Sequence, residues 1–260
     1  MQLTLYQIDA FASKPFEGNP AAICPLQSWL PDDVMQAIAM ENNLSETAYF
    51  VETDRGFHIR WFTPMHEVDL CGHATLASAH VLFHILDYEK KQIIFESRSG
   101  DLLVTKNNDW LEMDFPAQPP TECGVPVEIV QAFEDIPIAC SQAADYIVVF
   151  EDEQTILSAD PDLGQLAKLG LRGVAITAPG KQYDFVTRFF APKYGINEDP
   201  VTGSAFTQLI PYWAERLGKT GMLAKQVSKR GGEVRCGMSG DRVTIAGKAA
   251  SYMKGTIVVP

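Results

Sequence analysis

No CxxC pair occurs among the five cysteines (Cys24, Cys71, Cys123, Cys140 and Cys236), and an odd number of thiols cannot close a full disulfide framework. No apolar run is long enough for a bilayer. The longest, around Ala74–Leu86, is interrupted by His80 and His84. The opening MQLTLYQIDAF lacks the basic start, long apolar run and small-residue cleavage site of a signal peptide. Basic residues are few, 21 against 33 acidic, and they form no cluster. The resulting charge of −12 repels nucleic acid and anionic membrane surfaces. These absences point to a cytoplasmic enzyme with reduced thiols and without nucleic-acid or membrane partners. A small anionic substrate would then be held by local donors, because the field of the whole protein disfavours it.

The 260 residues suffice for one large domain or two moderate ones. A chain of this size buries roughly 75% of its unfolded surface, so it needs neither a disulfide nor a metal to be stable. The sequence also repeats itself. Arg60-Trp61-Phe62-Thr63-Pro64 is echoed by Arg188-Phe189-Phe190-Ala191-Pro192 at a spacing of 128. Each motif is followed by a short loop and then by a glycine that opens an apolar stretch: Gly72-His73-Ala74 and Gly203-Ser204-Ala205, the second loop being three residues longer. Pro31-Asp32 and Pro161-Asp162 lie 130 apart, and Asp109–Met113 pairs loosely with Asp241–Ile245 at 132. Four echoes in order at a steady offset indicate an internal duplication.

The seam is expected near Pro116-Ala117-Gln118-Pro119-Pro120, whose prolines favour an extended connector. This gives an N-terminal lobe of residues 1–118 and a C-terminal lobe of 119–249. The repeat ends near residue 247, so Gly255–Val259 is a surplus strand, and the tail 250–260 is expected to cross back to the first lobe. β-branched and aromatic residues predict strands at Leu3–Ile8, Thr47–Glu52, His58–Phe62, Tyr146–Phe150, Gly173–Thr177 and Phe185–Phe190. Apolar spacing after Pro31 predicts a helix over Asp32–Glu41. Ala74–Leu86 and Ser204–Leu217 are apolar enough to be buried helices. Strands around a central helix, built twice, make an α+β protein.

A buried helix keeps free N–H groups and a positive dipole end at its N-terminus, so two such ends facing one another would suit a substrate carboxylate. The alternative is that Gly72 and Gly203 only make tight turns. Differences between the copies bear on the chemistry. All five histidines (58, 66, 73, 80 and 84) lie in the first half, and Cys71-Gly72-His73 stands where the second half has Thr202-Gly203-Ser204. Glu46 maps near Gly173, so one lobe alone brings this acid. Such asymmetry suits one main proton carrier.

Gly18-Asn19-Pro20-Ala21-Ala22, Leu44-Ser45-Glu46-Thr47-Ala48-Tyr49, Arg60–Pro64, Glu67–Thr75 and Glu198-Asp199-Pro200-Val201-Thr202-Gly203-Ser204-Ala205 resemble the signature blocks of the PhzF family of phenazine biosynthesis. The match runs in order over nearly the whole chain. The resemblance implies a diaminopimelate-epimerase-like fold of two pseudo-symmetric lobes, each a barrel-like β-sheet around a central helix. It implies a site in the cleft between the lobes, no cofactor and frequently a homodimer. The family's named member isomerises trans-2,3-dihydro-3-hydroxyanthranilate, and its glutamate corresponds to Glu46. His73, Asp199 and Ser204 match the other polar site residues. The chain departs from the pattern at Phe206, where many members have histidine, and it looks short for the family.

The expected activity is therefore a cofactor-independent isomerase that moves a proton within a small carboxylated substrate. Its expected catalytic residues are Glu46, His73 and Asp199, and its expected substrate-binding residues are Gly72, His73, Asp199, Gly203 and Ser204. A carboxyl at a strand edge beside apolar residues suits a proton carrier near neutral pH; the alternative is a surface group or a partner of Arg60. The helix N-terminus is expected to keep His73 mostly neutral, unless His73 merely caps or packs. Asp199-Pro200 also reads as an ordinary turn, and Ser204 as a common N-cap. Cys71 is read as packing, because a two-thiol racemase would need a second cysteine where Thr202 stands. His80 and His84 have zinc-like spacing but Val81 lies between them where a metalloprotease has glutamate, so no metal site is expected. Two other classes remain open. One is an acyl hydrolase using Ser204, which lacks a GxSxG elbow; the other is a catalytically silent ligand- or partner-binding protein.

Overall fold

The computed structural model describes residues 1–259; Pro260, the last residue of the expected tail, lies outside the described residues. The chain divides into two compact units, Met1–Asp114 with the segment from Ala246 onward, and Phe115–Ile245. In the first half the elements are β1 (Gln2–Ala10), β2 (Asn19–Leu26), α1 (Asp32–Asn42), β3 (Glu46–Glu52), β4 (Phe57–Phe62) and β5 (Glu67–Val68). Then come α2 (Gly72–His84), β6 (Gln92–Ser97), β7 (Gly100–Asn107) and β8 (Trp110–Pro116). The second half begins with β9 (Thr121–Glu122), α3 (Val127–Ala132), β10 (Ala139–Gln142), β11 (Tyr146–Val149), α4 (Glu153–Ser158) and α5 (Leu163–Leu166). It continues with β12 (Val174–Pro179), β13 (Phe185–Ala191), β14 (Ile196–Asp199), α6 (Gly203–Leu217), β15 (Gly221–Gln226), β16 (Gly232–Ser239) and β17 (Arg242–Gly247). The last strand is β18 (Ala249–Val258).

The strand ladders make the duplication explicit. In the first unit β1 is antiparallel to β2, β2 parallel to β3, β3 antiparallel to β4, and β4 antiparallel to β5 and parallel to β6, which turns back into β7. The second unit repeats each relation in order with β10, β11, β12, β13, β14, β15 and β16. The repeated arginines also behave alike. Arg60 grips Glu67 with two hydrogen bonds, of 2.7 and 2.8 Å, and lies over Phe62. Arg188 grips Glu198 at 2.7 and 3.1 Å and lies over Phe190. A bidentate ion pair backed by an aromatic ring fixes the strand end that leads into each buried helix. β18 lies beside β1 as the two-residue β9 lies beside β10, antiparallel in both cases, but it is much the longer strand. It pairs antiparallel along all of β1, from Gln2 opposite Val258 to Ala10 opposite Ala249.

Both central helices are buried, as their composition predicts. Ten of the thirteen α2 residues are buried, and its hydroxyls are satisfied inside the helix: Thr75 donates to the Cys71 carbonyl and Ser78 to that of Ala74. A helix without a polar face has no water to turn toward, so it sits inside its sheet. In α6, Pro211 has no N–H to offer the Thr207 carbonyl, and the Gln118 N–H fills the gap at 2.9 Å. Trp213 donates to Thr177 at 3.0 Å, and Gln208 reaches Asp145. Phe206, the departure from the family pattern, is fully buried and packs near Phe185 as part of the core. The α2 helix ends at His84, two residues before the expected limit, and β18 is longer than the expected Gly255–Val259. The other predicted strands and helices agree with the structure to within about two residues per end. After Pro161 the chain makes a single helical turn, α5, capped by the Asp162 carboxylate.

Candidate functional site

The first cluster forms where α1 hands over to β3. α1 stops at Asn43, whose left-handed conformation (φ 50°) an asparagine tolerates better than most residues. The chain then enters β3 with Glu46 as its first residue, opposite Ala21 on β2. His73 is the second residue of α2, following Gly72 and the extended Cys71 that precedes the helix. Local structure thus delivers an acid from a strand start and an imidazole from a helix start, and tertiary packing joins them. His73 Nε2 stands 3.1 Å from Glu46 Oε2, and both side chains are largely shielded, 8% and 15% exposed. The two atoms are close but poorly aligned, so neither makes a well-oriented hydrogen bond. On the other side of the ring, His73 Nδ1 lies 3.5 Å from Cys71 Sγ.

Burial disfavours a charged His73, but the negative charges of Cys71 and Glu46 outweigh it and hold this imidazole well above the usual histidine range. Burial, then the Glu46 charge, raises the Cys71 thiol. This corrects the expectation of a mostly neutral His73: the groups beside the ring, Cys71 and Glu46 together, outweigh its burial and set the direction. A raised histidine pKa stabilises the fold fully below about pH 6.5, the unfolded value, and that contribution is lost as pH rises toward the folded value. Above pH 6.5 the wild type should therefore lose up to about 1.4 kcal/mol of unfolding free energy per pH unit relative to His73→Gln. Parallel slopes for the two proteins in denaturant titrations at pH 6.5–8 would refute this.

Arg60, the alternative partner of Glu46, is occupied by Glu67 and by Asp32, the latter at 2.9 Å. His80 Nε2 lies 3.0 Å from the Ser251 hydroxyl, and burial, His84 and Lys106 lower its pKa to about 4. His84 is exposed, with its ring 4.7 Å from that of His80. The pair is thus held by the tail strand and by the helix end.

Gly72 opens α2 beside His73, and the second cluster gathers Asp199, Gly203 and Ser204 at the start of α6. Asp199 ends β14, Thr202 precedes the helix, and Gly203 and Ser204 open it. The Thr202 hydroxyl donates to the Asp199 carboxylate. Gln226, wholly buried at the end of β15, ties the turn together. Its Nε2 donates to the Asp199 carbonyl at 2.7 Å, and its Oε1 accepts from the Thr202 N–H at 2.9 Å. Sequence reasoning missed Gln226 because a lone glutamine in a strand carries no motif. Its replacement by leucine strands the Thr202 N–H in a dry setting and should cost about 1–3 kcal/mol in chemical denaturation. A variant as stable as the wild type would show that the turn holds without it. Ser204 is half-buried, and its carbonyl accepts from Thr207 at 2.7 Å.

The asymmetry between the halves has a steric basis. A Cβ at Gly173, which maps near Glu46, would meet the Phe189 ring at 2.5 Å and the Phe190 carbonyl at 2.8 Å. No carboxylate fits there, so only the first copy carries an acid at this position.

Among the described residues no helix is long and apolar enough to cross a membrane. Residues 8–255 match the family described as phenazine biosynthesis-like protein (PhzC-PhzF). A Pseudomonas aeruginosa protein named as an uncharacterized isomerase is 53% identical over 257 residues, 99% of each chain, so the modest length is shared with that relative. The crystal structure of an Enterococcus faecalis PhzF-family protein matches with a TM-score of 0.98 and 45% identity, covering all of both chains. A hydroxyproline epimerase from Agrobacterium vitis shares the fold alone, with a TM-score of 0.57 and 10% identity over 98% of this chain and 92% of that one. With its repeated ladders, its acid–imidazole pair and a match that runs from end to end, the chain belongs to the PhzC-PhzF, phenazine biosynthesis-like, family.

Proposed function

We propose that the protein is an isomerase that shifts a proton within a small carboxylated substrate, using acid/base groups of its own chain. Glu46 is the proton carrier. As a carboxylate it takes a proton from an activated C–H, the electron pair moves into the neighbouring π-system, and the carboxylic acid returns the proton to a different carbon. His73, held cationic by its surroundings, offers an N–H to the charge that builds up during transfer. Asp199 accepts a hydrogen bond from a substrate amine or hydroxyl. In the second unit Ser204 and the N–H groups from Gly203 onward suit carboxylate oxygens, as do Gly72 and its neighbours at the start of α2 in the first.

One observation carries this reading. Glu46 Oε2 and His73 Nε2 are buried 3.1 Å apart, yet neither is spent on an aligned hydrogen bond. A merely structural pair would normally be aligned and satisfied, since an unmatched buried polar atom costs about 1–3 kcal/mol. Groups kept unsatisfied are available to a ligand. The name of the Pseudomonas aeruginosa relative supports the reaction class. The test is incubation with small carboxylated amino-acid-like and cyclic compounds in D₂O, followed by mass spectrometry and NMR. Deuterium should enter a substrate C–H position as isomer forms. Tight binding of a compound without exchange or isomer formation would favour a silent binding protein and end the proposal.

A further inference from the structure

Two thiols outside the proposed site are set against each other in the second unit. β9 and β10 are antiparallel, with Glu122 opposite Ser141 and Thr121 opposite Gln142. Continuing that register by one residue places Cys123 directly opposite Cys140, and the Cys123 N–H donates to the Cys140 carbonyl at 3.0 Å. Directly opposed, hydrogen-bonded residues have Cα atoms about 5.5 Å apart, within the range a disulfide spans. The side chains already face the same way, with Sγ of Cys123 and Sγ of Cys140 3.6 Å apart. Of the other three thiols, Cys24 and Cys236 are buried and Cys71 lies against His73.

We propose that Cys123 and Cys140 are an oxidation site, forming an intramolecular disulfide with peroxide-class oxidants. Exposure sets the order of events. Cys123 is partly exposed, whereas Cys140 is buried in the unit's core, and burial followed by its contact with Cys123 raises the Cys140 thiol to about 12. The Cys123 thiolate attacks one oxygen of hydrogen peroxide, giving a sulfenic acid and releasing water after protonation. Cys140 then loses its proton and attacks the Cys123 sulfur, which expels a second water. Two thiols and one peroxide thus yield one disulfide and two waters. The short reach between the sulfurs favours this closure over further oxidation of Cys123. The link would fasten β9, a two-residue strand just past the proline-rich seam, to β10 behind it.

The test treats the native protein with one to a few equivalents of hydrogen peroxide, blocks remaining thiols with iodoacetamide under denaturing conditions, and maps peptides without reduction. The expected product is a Cys123–Cys140 cross-linked peptide, two hydrogens lighter than the pair, with Cys24, Cys71 and Cys236 recovered alkylated. Closing a loop of this size should also raise the melting temperature by roughly 5 °C or more. In Cys140→Ala, the same treatment should carry Cys123 on to sulfinic acid or to a disulfide between two molecules. Sulfinic or sulfonic acid at Cys123 of the wild type with Cys140 still alkylatable would overturn the proposal. So would a wild-type product that is the intermolecular dimer.

Discussion

Turnover of Glu46→Gln falls by roughly 10²–10⁴, the usual worth of a positioned acid/base group, while ligand affinity stays within several-fold. Glutamine keeps the volume and polarity of glutamate, so β3 can begin as before. It cannot carry a proton between two carbons. It also removes the negative charge that helps hold His73 cationic, so the variant loses both the carrier and part of the support for the donor. Because His73 is brought back toward the ordinary imidazole range, what activity remains should decline at a lower pH than in the wild type. The measurement is the deuterium-exchange rate, over a range of pH, for any compound that the wild type exchanges. Equal rates for the two proteins would remove Glu46 from the mechanism whatever the family.

The second large effect concerns stability. The Asp145 carboxylate is wholly buried and is held by Arg172 at 2.9 and 2.5 Å and by Gln208 Nε2 at 2.7 Å. Gln208 also accepts from the Asp145 N–H at 3.0 Å, so the central helix α6 is pinned to the loop before β11 through this one residue. Arg172→Met leaves a buried carboxylate with half its partners, an arrangement that ordinarily costs 3–5 kcal/mol. The Arg172 side chain is 41% exposed, so water can partly replace it, and about 3 kcal/mol is the expected loss in chemical denaturation. Adding Asp145→Asn removes the stranded charge while keeping the contact with Gln208. The double variant should then be more stable than Arg172→Met alone. If the double variant is the less stable of the two, the cost lies in lost arginine packing over Phe189 and not in the charge.

Much of this protein can be read without coordinates. The paired Arg-aromatic-Phe motifs announce a duplication, and in each copy the arginine meets an acid further along the chain, Glu67 seven residues on and Glu198 ten, across the longer second loop. Apolar composition without a polar face makes Ala74–Leu86 and Ser204–Leu217 buried helices whichever elements surround them. Glu46, His73, Asp199 and Ser204 stand in motif blocks and are found as candidates by that route. The residues that support them are not. Gln226 lies 24 residues beyond Thr202 and Asp145 lies 27 before Arg172, with nothing in either stretch that pairs them. Such contacts depend on strand register, which no short window of sequence reports.

The sequence by itself determined the duplicated α+β plan, the family and the residue types available for chemistry, because these follow from periodicity, composition and local motifs. Tertiary structure alone decided which groups meet and in what state. It set Glu46 3.1 Å from His73 and reversed the expected direction of the histidine's pKa, and it closed Gly173 to any second acid. The physical reason is range: helix ends and hydrophobic periodicity act within a few residues, whereas charge coupling and steric closure depend on distances that only packing creates.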